Sequence, residues 1–146
     1  VNLVIIAPSG AARSAIARLA MADADSVTVV SSAPTDVESS GVRSLVFSAG
    51  LGRTGGTVMR LLSRSVLGRN LARLTPLDGG HRLARVALRD NALKDAIRVA
   101  DLVAVLERDG ILTGWKAHRR WARDETPVVF GAAPAEASLL TLRAGA

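Results

Sequence analysis

The 146-residue sequence contains no cysteine and no tyrosine, and only two tryptophans, two phenylalanines and two histidines. Without a thiol, disulfide bridges, thiolate nucleophiles and cysteine-built zinc sites are excluded. His81 and His118 are too few for an all-histidine metal site, so no metal is expected. The scarcity of rings forces an aliphatic core and removes the stacking platforms on which nucleic-acid readers depend, so nucleic acid is not an expected partner. No apolar run approaches the roughly 20 residues needed to cross a bilayer. The stretch from Leu3 to Ala7 is too short for the apolar segment of a signal peptide and has no basic residue before it. The expected location is therefore the cytoplasm, with peripheral attachment to a membrane as a variant of it.

What is present is the composition of a folded protein, 49% hydrophobic and 22% charged. Lysine occurs only at Lys94 and Lys116, so the net charge of +6 is carried almost wholly by arginine. Heavy use of Ala, Arg and Gly over Lys is also the mark of a GC-rich, bacterial-type coding sequence. The number of arginines is therefore not by itself a sign of phosphate recognition.

Leu3 to Ala7 is a continuous aliphatic run, as in a strand buried on both faces. Pro8-Ser9-Gly10 ends it, and Ala11 to Met21 reads as a helix with Ala12, Ala15, Ile16 and Leu19 on one face. Further strands are expected at Ser26 to Ser31, Val42 to Phe47, Asp101 to Leu106 and Pro127 to Phe130. Val58 to Leu74 reads as two helical segments bent at Gly68, and Asp78-Gly79-Gly80 as a loop. His81 to Arg89 fits helix or strand. Asn91 to Ala100 is helical, and so is Ile111 to Arg123, with Ile111, Trp115 and Ala122 expected inward; Ala135 to Leu142 forms a closing helix.

Strands alternating with helices, each strand nearly all apolar, imply a parallel sheet covered on both sides. The expected fold is a single domain over 1–146, a three-layer α/β/α Rossmann-like structure of about five mostly parallel strands in the order 3-2-1-4-5.

In such a sheet ligands bind beyond the carboxyl ends of the strands, where the strand order reverses. That crevice lies between the first and fourth strands. Ser9 and Gly10 wall one side, where free N–H groups at a helix start suit an anion. Glu107 and Asp109 wall the other, as a general base or as acceptors for sugar hydroxyls. The plainer alternative is that Ser9 and Asp109 cap the helices that follow them. His81 is the better-placed histidine for acid–base work, and His118 reads as a packing or capping residue. Glu107, Asp109 and His81 are thus the catalytic candidates.

Gly50-Leu51-Gly52-Arg53-Thr54-Gly55 matches the G-x-G-x-x-G turn of dinucleotide-binding domains. It follows the third strand rather than the first, and no acid closes a later strand at the spacing of about 20 residues. A flexible glycine-rich turn is the alternative. The overlapping segment Ser48 to Gly55 resembles the phosphate loop of protein tyrosine phosphatases. Phe47 stands where that family has its nucleophilic cysteine, so the resemblance implies phosphate binding without thiolate catalysis, by Gly50, Gly52, Arg53, Thr54 and Gly55. From Arg53 to Arg89 the chain carries eight arginines against one acid, Asp78. This is a solvated basic surface, or one that meets an anionic membrane or an acidic partner.

The segment Arg98 to Asp109, a helix ending in Ala100-Asp101 and running into a buried strand, resembles the late part of the N-terminal half of GT-B glycosyltransferases. Val4 to Leu19 is similar to the first strand, turn and helix of that half. The resemblance implies an acceptor-side domain, incomplete by itself, whose donor site comes from a partner subunit or a second domain. It implies no resident cofactor beyond a nucleotide or nucleotide-sugar ligand, and it assigns no catalytic residue. Two other readings stay open: a stand-alone nucleotide- or phosphate-ligand-binding domain, and a non-enzymatic module that binds a protein or a membrane.

Overall fold

The computed structural model describes residues 1–9, 13–21, 26–33, 41–48 and 78–145. Five strands form one all-parallel sheet: β1 (Asn2–Ile6), β2 (Ser26–Ser31), β3 (Val42–Val46), β4 (Leu102–Val105) and β5 (Val128–Phe130). Their spatial order is β3-β2-β1-β4-β5, the order expected from the sequence. The described helices are α1 (Arg13–Met21), α2 (Gly79–Ala87), α3 (Asn91–Val99), α4 (Ile111–Trp121) and α5 (Ala132–Ala144). The proposed bend at Gly68, the whole of the Gly50 to Gly55 turn and Gly10 lie outside the described residues.

The period of two in the strands divides the core. Val4 and Ile6 of β1, with Val103 and Val105 of β4, pack against Leu83, Leu93, Ile97 and Ala117 from α2, α3 and α4. Leu3 and Ile5, with Leu102 and Ala104, pack against Ile16 and Leu19 of α1 and Ala135 and Leu139 of α5. Helices on both faces explain why β1 and β4 are apolar at almost every position. They also account for the three-layer Rossmann-like architecture.

Three local expectations are revised. His81 to Arg89, open between helix and strand, is helical as far as Ala87, and Leu88 and Arg89 form the turn after it. Gly79 and Gly80, read as loop, are the first residues of that helix, because the Asp78 side chain caps it by accepting the Gly80 N–H at 3.0 Å. Ile111 and Trp115, expected inward, are 44% and 48% exposed, and Thr113, Gly114 and Ala117 face the sheet instead. α4 lies too close to β4 for a large side chain between them. A Cβ at position 114 would stand 2.5 Å from Val105 Cγ2.

The amino-terminal edge is tied by Asp101. One of its oxygens accepts the Asn2 N–H at 2.8 Å, and the other accepts from Arg123 Nη2 at 2.7 Å. The Asn2 hydrogen bond and the Arg123 guanidinium hold its carboxyl below the usual aspartate value against the opposing effect of burial. A carboxylate with a depressed pKa stabilises the fold above its unfolded value, near 3.9, and this is lost as pH falls through the folded value. Asp101→Asn is therefore expected to be less stable than wild type at pH 7, with the gap closing as the pH drops below about 4. Urea midpoints measured across that range check it; a gap independent of pH would contradict it.

Candidate functional site

Rungs of the parallel ladder continue past the strand ends and set the carboxyl edge of the sheet. Leu106 N–H donates to the Ile6 carbonyl at 3.0 Å, Ser32 N–H to Pro8 at 2.8 Å, and Phe47 N–H to Ser31 at 2.8 Å. Ser9, Ser32 and Ser48, each just beyond a strand, are brought to one place in this way. They line a cleft of about 430 Å³ with Pro8, Gly79, Arg82 and Asp109. Among the described residues its polar groups are three hydroxyls, one guanidinium and one carboxylate. Such a set suits a ligand that carries hydroxyls and a negative group.

Glu107 stands behind this cleft. Its Oε2 accepts the Ser9 N–H at 2.6 Å and so fastens the turn after β1 to the turn after β4. The other oxygen, Oε1, is buried with no hydrogen-bond partner among the described residues.

Asp109 sits in the short 3-10 turn Arg108–Gly110 that leads into α4. The turn packs on the start of α2 so tightly that a Cβ at Gly79 would lie 2.8 Å from Asp109 Oδ2. A Cβ at Gly80 would lie 3.0 Å from the Asp109 carbonyl oxygen, so the start of α2 meets the backbone of this turn as well as its carboxylate. On its other side Asp109 lines a second depression, of about 310 Å³, shared with Asp78, His81, Arg108 and Trp115. There His81 Nδ1 is 3.9 Å from Asp78 Oδ2, the carboxylate that also caps α2. Asp109 is therefore exposed to both cavities.

The structure sets Ser9 and Asp109 on one cleft, joins Glu107 to Ser9 through the Ser9 N–H without placing it in the cleft lining, and sets His81 beside Asp109 but in the neighbouring depression. Gly10, Gly50, Gly52, Arg53, Thr54 and Gly55 lie outside the described residues. His118 is structural: its Nε2 donates to the Thr126 carbonyl at 3.0 Å and ties α4 to the chain before β5.

Ser32 was not singled out from sequence; Ser48 entered only as the first residue of the phosphate-loop-like segment and Arg82 only as one of the eight arginines between Arg53 and Arg89. The two serines could have been found by the same rule, since each follows a parallel strand directly. Arg82 could not, because its place depends on how α2 docks. Among the described residues no group of three histidines or acids is placed to hold a metal ion, and no helix is long and apolar enough to cross a membrane.

Compared with known proteins, the chain matches no family model, no curated protein and no solved structure. The site geometry carries the functional reading by itself.

Proposed function

We propose that the chain is the acceptor-side domain of a sugar-transfer system and that the sheet-edge cleft binds a hydroxylated, anionic small molecule. The observation that carries this reading is the convergence of Ser9, Ser32, Ser48, Arg82 and Asp109 on one open cleft. In this reading the Arg82 guanidinium pairs with the ligand's phosphate or carboxylate, the serine hydroxyls bond its hydroxyls, and Glu107 positions the Ser9 turn from behind. Asp109 is the base: it takes the acceptor's hydroxyl proton as the oxygen forms its bond to the donor's anomeric carbon and the donor's nucleoside diphosphate departs. The donor is held by a partner subunit or second domain. The C-terminal helix supports this reading because α5 packs on the face shared with α1 and does not line the cleft.

Ligand-observed NMR with a panel of sugars, sugar phosphates and nucleotides tests the reading. Sugar phosphates are expected to bind, and Arg82→Gln to weaken them by about tenfold, the loss of roughly one charge-assisted contact. Asp109→Asn should leave binding within about threefold, since a base contributes mainly in the transition state. Nucleotide binding without sugar-phosphate binding would favour the nucleotide-binding domain instead. Binding indifferent to Arg82→Gln would remove the cleft from the account.

A further inference from the structure

The seam between α2 and α4 forms another cavity, of about 280 Å³, on the helical face of the molecule. α2 and the residue run after it contribute His81, Arg85 and Arg89, four residues apart; α4 contributes Leu112, Lys116 and Arg120 at the same interval. Side chains four apart share a helix face. Two rows, basic at five of these six positions when His81 is included, therefore face one groove.

No carboxylate among the described residues lines this groove. Among the described residues Arg85, Arg89, Lys116 and Arg120 are in no ion pair, whereas Arg18 pairs with Glu136 and Arg123 with Asp101. Like charges four apart on a helix destabilise it. The helix dipole offsets this for a cation in the last turn, which covers Arg85 and Arg120. It does not cover Lys116 in the middle of α4, nor Arg89 beyond the end of α2. Helix stability thus explains only part of the cluster.

We propose that the α2–α4 groove is a binding site for a multiply charged phosphate group, a diphosphate or a phosphorylated headgroup, held by Arg85, Arg89, Lys116 and Arg120. A diphosphate is favoured over a single carboxylate because it carries several negative charges for the four cations to meet, and three of those cations are guanidiniums, whose planar fork bonds two oxygens at once. The groove is roomy for a single small anion, and four cations distributed along it match a charge spread over more than one group. Beside it Trp115 is 48% exposed, with the Arg119 guanidinium 5.0 Å from its ring centroid, so indole fluorescence can report occupancy. This site does not depend on the reading of the sheet-edge cleft.

The test is a titration of the full chain with inorganic pyrophosphate, followed by tryptophan fluorescence and calorimetry, beside co-sedimentation with phosphatidylcholine vesicles with and without phosphatidylglycerol. The triple variant R85Q/K116Q/R120Q is compared with R13Q/R43Q/R98Q, which removes the same formal charge outside the groove. Saturable binding is expected, weakened about tenfold or more by the groove variant and about threefold or less by the control. Binding of pyrophosphate identifies a soluble phosphate ligand; binding confined to the anionic vesicles identifies a lipid headgroup. Either outcome supports the site. Should the triple variant lose its helical circular dichroism, K116Q alone replaces it, with a loss of about threefold or more expected. No saturable binding in either arm overturns the proposal, and so does an equal loss in both triple variants, which would mean that net charge alone is responsible.

Discussion

Gly114→Val is expected to cost the protein about 3 kcal/mol or more, and so to lower its melting temperature by roughly 6–12 °C. Gly114 is the point at which α4 touches the sheet: a Cβ there would be 2.5 Å from Val105 Cγ2 and 3.5 Å from Ile6 Cδ1. Val105 is 2% exposed and β-branched, so it has neither the space nor the χ1 freedom to withdraw. At an exposed helix position glycine to alanine would gain about 1 kcal/mol of helix propensity. Overpacking of about 1–3 kcal/mol outweighs that gain here, and valine adds two methyls without alanine's propensity. Val105→Ala removes the γ-methyls that the new Cβ would strike. The double variant V105A/G114A is therefore expected to lose less stability than the sum of its two single variants. Simple additivity would show that the contact is not the cause.

Ile6→Ala is expected to destabilise by about 2–5 kcal/mol, the usual cost of a large-to-small change in a core. Ile6 is 0% exposed, ends β1, and stands in register with Val30 on one side and Val105 on the other. Its position gives the substitution a second consequence. Ile6 Cγ2 lies 2.8 Å from where a Cβ on Gly110 would be, directly against the turn that carries Asp109. A cavity at Ile6 removes the support of that turn. Ile16→Ala empties a comparable volume in the cluster on the opposite face of the sheet. Both variants should melt early, but only Ile6→Ala should move the amide resonances of residues 107–110. Equal shifts in both would mean that the site is not held by this contact.

The residues that made the fold readable are the ones whose environment is set by chain periodicity. Leu3 to Ile6 and Leu102 to Val105 are apolar at every position because each strand is buried on both faces, and no helix of the observed length needs such a run. Ambiguity entered where one segment satisfies two patterns. His81 to Arg89 has Leu83, Val86 and Leu88 among arginines, a spacing that serves either element. Asp78 decides it by capping, and Leu83 and Ala87 by packing on the sheet. In α4 bulk misled: Ile111 and Trp115 make the more apolar stripe, yet the stripe of Thr113, Gly114 and Ala117 faces β4 because only small side chains fit at that distance.

The candidate site divides along the same line. Ser9, Glu107 and Asp109 were legible because a parallel sheet whose order reverses between β1 and β4 must open at those strand ends. Arg82 enters the cleft, and Asp109 reaches its rim, through the packing of α2 against the turn before α4. The basic groove shows the contrast most clearly. Arg85 and Arg89 belong to the arginine-rich run visible in the chain, but Lys116 and Arg120 lie some 30 positions away and face them across the seam. Hydrophobic period is a local property, so residue order alone specifies the strands, the sheet they build and those helices whose pattern fits one element only. The docking of one helix on another depends on close contacts at Gly79 and Gly114 that no local pattern encodes, and those contacts choose which charges meet.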